Sequence, residues 1–277
     1  MQEGHYTWDA EDYASHSTAQ FTWAREMIGK LNLRGSESVL DIGCGDGKVT
    51  AMIASFLAGG SVTGIDSSAP MIALAQKTFP QSLYPGISFV RADASMIAYK
   101  NQFDLVFSNA ALHWIGDQAS VLRGVKAALK PSGRIFFQMG GRGNAEDILA
   151  IANRCITEKR WQSYFTGFVF PYHFFSPEEY AIFLQEAGLV QKRLELIHKD
   201  MTQLGREGFA GWIRTTWLPF TDRIPEQKRD LFIAELIDAY LREFPLDKEG
   251  LVHTKMVRLE VEAVKEDERT FALKDAR

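Results

Sequence analysis

A chain of 277 residues, 46% of them hydrophobic, has ample material for a sizeable core. Its net charge of −4 leaves no basic stripe for nucleic acid. Cys44 and Cys155 stand far apart without metal-ligand spacing, which argues against a disulfide framework or a zinc site and suits a reducing, cytoplasmic setting. The acidic start "MQEGHYTWDAEDY" has no apolar h-region, and no run approaches the ~20 apolar residues of a membrane span, so neither a signal peptide nor a membrane partner is expected.

In chain order, Ala24, Met27, Ile28 and Leu31 form the buried stripe of a first helix. Residues 39–42 read as a short buried strand ending at glycines. Val49, Met52, Ile53, Phe56 and Leu57 recur at helical spacing, and Gly59-Gly60 is expected to end that helix. "SVTGID" predicts a second strand and "SAPMIALAQKTF" a helix with Pro70 in its first turn. "ISFVRAD" and "FDLVFSNA" predict the third and fourth strands. "QASVLRGVKAALK" predicts a helix, and "PSGRIFFQM" a turn into a fifth strand. Strands alternating with helices imply a parallel sheet covered on both faces.

After Gly143 the rhythm changes to a helix near 145–156, an aromatic run over 161–175 and a helix from Ser176 to Gly188. "LVQKRLELIHKDM" predicts a strand, residues 205–218 and 225–244 two helices, and "HTKMVRLEVEAV" a last strand. There Val257, Leu259, Val261 and Ala263 alternate with Arg258, Glu260 and Glu262, the period of a strand with one buried face.

The loop "DIGCGDGK" spaces its glycines G-x-G-x-G, one place short of the dinucleotide fingerprint, and fails the P-loop pattern as well. Asp41 enters the loop and Asp46 sits inside it, and both would repel a pyrophosphate. They suit a ligand with a cation there, such as S-adenosyl-L-methionine, and Gly43 and Gly45 allow close backbone approach. Asp66 ends the second strand, where a carboxylate can accept both hydrogens of a ribose diol. Asp93 ends the third, positioned for an adenine amino group with the Ala94 N–H beside it. Cys44 reads as a small residue packed in the loop, and Asp104 as a structural residue at a strand start.

Together "VLDIGCGDGKVT", "VTGIDSSAPMIALA", "FVRADA", "FDLVFSNAALHW" and "ALKPSGRIFFQM" resemble the class I S-adenosyl-L-methionine-dependent methyltransferases over residues 36–140. More narrowly, "IDSSAPMIALA", "NAALHW" and "GWIRTTWLPFTDRIPEQKRDLFIAELIDAY" resemble the trans-aconitate methyltransferase family, and "YASHSTAQ" the related carboxyl methyltransferases. The resemblance implies an α/β, Rossmann-like, seven-stranded and mostly parallel sheet with an antiparallel last strand. A helical cap would be inserted between the last two strands. The corresponding division is 1–35 as an N-terminal helical lid, 36–143 as the cofactor-binding core, 144–265 as cap helices and last strands, and 266–277 as a loose tail.

The cofactor set so expected is Asp41, Gly43, Cys44, Gly45, Asp66, Ser67, Met71, Asp93, Ala94 and Asn109, with no metal. His113 and Trp114 follow the fourth strand, where the methyl would emerge. "NAAL" lacks the Asn/Asp-Pro-Pro-aromatic clamp of methyltransferases that act on amides and exocyclic amines. Gln20 faces the active site in the carboxyl methyltransferases resembled, and Tyr13 is either packing or lid. Arg214 is the candidate to grip a carboxylate bidentately, with Arg142 second. The expected reaction is O-methylation of the carboxylate of a small organic acid. The alternatives are a small amine or hydroxyl acceptor with His113 as base, or a binding module without turnover.

Overall fold

The computed structural model describes residues 18–266, with side chains from residue 23. Helix α1 (Thr18–Lys30) precedes the alternating half: β1 (Ser38–Ile42), α2 (Lys48–Ala54), β2 (Ser61–Asp66), α3 (Ala69–Thr78), β3 (Ile87–Arg91), β4 (Phe103–Asn109), α4 (Gln118–Ala128) and β5 (Leu129–Gly140). Then come α5 (Glu146–Cys155), α6 (Pro177–Ala187), β6 (Val190–Leu204), α7 (Gly205–Thr216), α8 (Leu218–Thr221), α9 (Glu226–Glu243) and β7 (Leu251–Val264). The seven strands form one sheet in the order β3-β2-β1-β4-β5-β7-β6. The first five are parallel, and β7 joins β5 antiparallel. This is the expected architecture, with α7, α8 and α9 lying between β6 and β7 in the chain. No described helix is long and apolar enough to cross a membrane.

Alternation along each central strand feeds two cores. Val39, Leu105, Phe107 and Phe136 pack with Met27 and Ile28 of α1 and with Leu31 just after it. Their chain neighbours Leu40, Ile42, Val106, Ile135 and Phe137 pack with Val121, Leu122 and Val125 of α4 and with Tyr180 and Leu184 of α6. A strand covered on both faces reads as an unbroken apolar run, as "LVF" of β4 and "IFF" of β5 do. The ends of α6 follow from the sequence: Ser176 and Glu179 form a reciprocal capping box, and Gly188 closes the helix at φ 67°.

The chain divides into two compact units. The sheet unit holds Ala19–Arg142, Tyr172–Ile197 and the chain from Arg258 onward. The other holds Gly143–Pro171 and His198–Val257, so β6 and β7 contribute residues to both. These boundaries differ from 1–35, 36–143 and 144–265. Helix α1 packs into the sheet's core, and α6 is a core helix covering α4. The second unit is built on aromatic packing: Trp161 against Phe232, Phe165 against Phe220, and Phe209 against Tyr240. Tyr13 and the stretch 267–277 lie outside the described residues.

Three local readings are corrected. Helix α2 stops at Ala54 with Ser55 as its cap, before the glycines. Leu129 already pairs with Phe103, so Pro131-Ser132-Gly133 forms an irregularity inside β5, with Ser132 at φ 63°, instead of a turn leading into it. Strand β7 is buried on both faces from Met256 to Val261, not on one. It lies inside the sheet, between β5 and β6, so its Arg258 and Glu260 are interior.

Candidate functional site

The carboxyl ends of β1, β2, β3, β4 and β5 share one edge, because these strands run parallel. At β1 the chain leaves Ile42 into the glycine loop, and both Gly43 N–H and Cys44 N–H donate to the Ile65 carbonyl of β2. Gly43 and Gly45 have φ of 74° and 53°, in the left-handed region that favours glycine. Their reasons differ further. A Cβ on Gly43 would stand 2.1 Å from the Ala111 Cβ, whereas one on Gly45 would meet nothing within 4 Å. Gly43 is therefore a packing requirement, and Gly45 opens the loop to whatever lies beyond it.

The acids divide in the same way. Asp41 is buried, and its carboxylate accepts the Thr50 hydroxyl at 2.6 Å. Burial raises its pKa to about 7 against the Thr50 hydrogen bond, with repulsion from Asp66 adding to the rise. Asp66 accepts Ser68 N–H at 2.8 Å and Gly45 N–H at 3.0 Å, pinning the loop to the end of β2, and burial raises its pKa as well. Asp93 caps the short turn Ala94–Met96 through Ser95 N–H and Ser95 Oγ. Asp46 is spent locally: its carboxylate pairs with Lys48 Nζ at 3.0 Å. The loop's repulsion of an anion therefore rests on Asp41 and Asp66, not on Asp46.

The remaining expected contacts are mixed. Cys44 is buried among Ile72, Ala75, Ile87 and Phe89, a packing residue as read. Met71 is buried on α3, and Ala94 is buried in the core that includes α4. Ser67 is exposed, its carbonyl accepting Arg91 Nε at 3.1 Å. Asp104 is structural, accepting Ser38 N–H and Lys130 Nζ.

Beyond β4, Asn109 is half-buried at the strand end, and Ala110 takes φ 57° as its N–H donates to the Gln138 carbonyl. The chain then turns so that His113 is buried. Its ring lies 5.3 Å from Tyr172, 5.9 Å from Phe174 and 6.2 Å from Trp114. Gly140 N–H donates to His113 Nδ1 at 3.3 Å, which leaves the proton of the neutral ring on Nε2. Burial and the positive charge of Arg258 hold the imidazole pKa down to about 3. Trp114 meets Tyr172 edge-on at 4.2 Å. Part of the aromatic run thus surrounds His113, while Trp161 and Phe165 are core of the second unit.

The anchor candidates fall elsewhere. Arg214 is exposed on the last turn of α7, in the second unit. Arg142 is exposed and pairs with Glu179 at 2.5 Å. Gln20 lies on α1, outside the residues whose side chains are described. Arg258 and Glu260, read as the open face of β7, are both buried. Arg258 stacks over the Trp23 indole at 4.4 Å, and Glu260 accepts Lys30 Nζ and Gln138 Nε2 and pairs with Arg193. The signal that could have found them is positional: a strand placed inside a covered sheet has no solvent face.

Residues 40–137 match the model of a methyltransferase domain family. An uncharacterized methyltransferase of Schizosaccharomyces pombe is 30% identical over 80% of this chain and 84% of its own. The trans-aconitate 2-methyltransferase of Deinococcus radiodurans is 28% identical over 91% of this chain and 96% of its own. Among solved structures, the YcgJ protein of Bacillus subtilis superposes with TM-score 0.62 at 18% identity, covering 89% of this chain and 99% of its own. Phosphoethanolamine N-methyltransferase 2 of Haemonchus contortus, in complex with S-adenosyl-L-methionine, gives TM-score 0.59 at 18% identity over 93% of this chain and 57% of its own.

Proposed function

Since the chain belongs to the class I S-adenosyl-L-methionine-dependent methyltransferases, we propose that its acceptor is the carboxylate of a small organic acid. The cofactor, S-adenosyl-L-methionine, supplies a methyl group on a positively charged sulfonium, beside an ammonium and without any phosphate. The glycine loop fits such a group: Gly45 is open on the side a Cβ would fill, and the buried Asp41 carboxyl regains its charge when a cation comes near. In this reading Asp41, Gly43 and Gly45 hold the amino-acid part, and Asp66 holds the ribose with Ser67 and Met71 beside it. Asp93 and Ala94 hold the adenine. Cys44 supports the loop from behind, and Asn109 marks the passage from cofactor to acceptor.

His113 carries the carboxylate reading. Its Nδ1 is engaged by Gly140 N–H, and its pKa is held near 3. A base that weak does not relieve an amine or a hydroxyl of its proton near neutrality. A carboxylate needs no such help, being ionised already. The chain's own work is then to align the acceptor and exclude water, with His113 Nε2–H as a donor and Trp114, Tyr172 and Phe174 as apolar walls. Relatives named for trans-aconitate support the same class of acceptor.

The test is product chemistry. The protein is incubated with methyl-labelled cofactor and a panel of mono-, di- and tricarboxylic acids, amines and alcohols. A base-labile methyl ester is the expected product. An N-methyl or ether product, with an acid limb in the rate that disappears in His113→Gln, overturns the proposal.

A further inference from the structure

Charge changes sign along the ligand edge of the sheet. Asp93, Asp66 and Asp41 stand at or just beyond the ends of β3, β2 and β1. Asn109 ends β4, the next strand across. Beyond β4 the edge turns positive. Arg258 of β7 pairs across the ladder with Gly140, the last residue of β5, and so reaches the same edge although β7 runs the other way. Its side chain is 5% exposed, and the guanidinium lies over the Trp23 indole. Gly140 N–H donates to His113 Nδ1, so His113 and Arg258 both stand beside Gly140, and the charge of Arg258 is felt at the imidazole.

We propose that Arg258 anchors the acceptor's carboxylate, with the His113 Nε2–H as its second donor. This rests on the carboxylate reading above and deepens it. Three arguments support it. A guanidinium withdrawn from water attracts an anion more strongly than a surface arginine does, because the local dielectric is low. The proton left on His113 Nε2 adds a neutral donor beside a cation, a pair suited to the two oxygens of a carboxylate. The acids of β1 to β3 and the cation at β5 and β7 lie on opposite sides of β4, so the edge sorts a cationic cofactor from an anionic acceptor before either makes close contact. Arg258 also disfavours protonation of His113, which keeps Nδ1 free of a proton to accept the Gly140 N–H.

Wild type, Arg258→Gln, Arg258→Lys and Arg214→Ala are assayed at saturating cofactor against the best acid of a panel headed by trans-aconitate. Arg258→Gln is expected to raise KM for the acid about ten- to a hundredfold, with cofactor affinity unchanged within about twofold. Lys is expected to restore part of the loss, since it keeps the charge but not the fork. A second measurement needs no change at Arg258. The wild-type protein, saturated with S-adenosyl-L-homocysteine and labelled at its indole nitrogens, is titrated with the same acid and with its uncharged amide; the Trp23 signal is assigned with Trp23→Phe. The acid is expected to move that signal, and the amide is not. The proposal is overturned if Arg258→Gln folds and keeps KM within about twofold, if Arg214→Ala raises KM instead, or if the acid binds without moving the Trp23 signal. A wild type that methylates amines or alcohols but no acid overturns the carboxylate reading as well, and that outcome is distinct from the others.

Discussion

Replacing Asp41 by Asn measures what a buried carboxylate costs this fold. The side chain is 2% exposed, and burial takes its pKa from 3.8 to about 7. Below pH ~4 the group is protonated in the folded and the unfolded chain alike, and no penalty exists. As pH rises from about 4 to about 7, the folded protein keeps a proton that the unfolded chain has released. Each pH unit then removes ~1.4 kcal/mol of stability. Above about 7 both states are ionised, and the accumulated penalty levels off at about 4 kcal/mol. Asn has the same shape and still offers an oxygen to the Thr50 hydroxyl, which donates to Asp41 at 2.6 Å. The cofactor-free variant is therefore expected to match wild type near pH 4 and to exceed it by about 4 kcal/mol at pH 8. Urea unfolding followed by tryptophan fluorescence, with the two proteins compared at each pH, cancels every other titration. The variant is also expected to lose cofactor affinity, because it has no charge to offer an ammonium. A variant no more stable than wild type at pH 8, or a difference independent of pH, would refute the reasoning.

The two loop glycines should fail differently. Gly43→Ala drives a Cβ into Ala111 at φ 74° and is expected to destabilise the fold by about 2–4 kcal/mol in urea. Gly45→Ala costs only the ~1–2 kcal/mol of backbone strain, yet it is expected to abolish cofactor binding in a calorimetric titration. For His113→Gln, kcat with an acid acceptor is expected to fall no more than about tenfold, and the rate of both proteins to stay level from pH ~8 to ~5, well above the histidine's depressed pKa of about 3. At Glu260, burial opposes ionisation, but hydrogen bonds from Lys30, Arg193 and Gln138 outweigh it and hold the carboxyl below its usual range. Glu260→Gln is expected to lose ~1.5–3 kcal/mol at pH 7, with the loss shrinking as acid protonates the wild-type group, again read by urea unfolding.

What the chain declared locally, the structure repeats. The run from Val39 to Ile42, the cap at Ser176 and the closing Gly188 are each set by a few adjacent residues, so spacing alone finds them. The features that escaped depend on partners distant in sequence. Gly43 and Gly45 look alike until Ala111 is seen beside only one of them. Asp46 reads as free charge until Lys48 turns back onto it. Arg258 and Glu260 alternate with apolar residues, and alternation implies a wet face unless the strand is known to lie inside the sheet.

The place of β7 also sets the order in which the molecule can be finished. It is the last of the seven strands to leave the ribosome, yet it stands between β5 and β6. When β6 emerges, its neighbour has not been made, and β5 still presents an unpaired row of N–H and C=O groups along an apolar strand. During synthesis that edge is the segment most open to pairing with another chain, and only the insertion of Leu251–Val264 closes it. The same insertion brings Glu260 to Lys30 and Gln138, clasping α1 to β7. It also sets Arg258 opposite Gly140, whose N–H holds His113. Closing the nascent edge and setting the buried Arg258 opposite Gly140 are therefore one event.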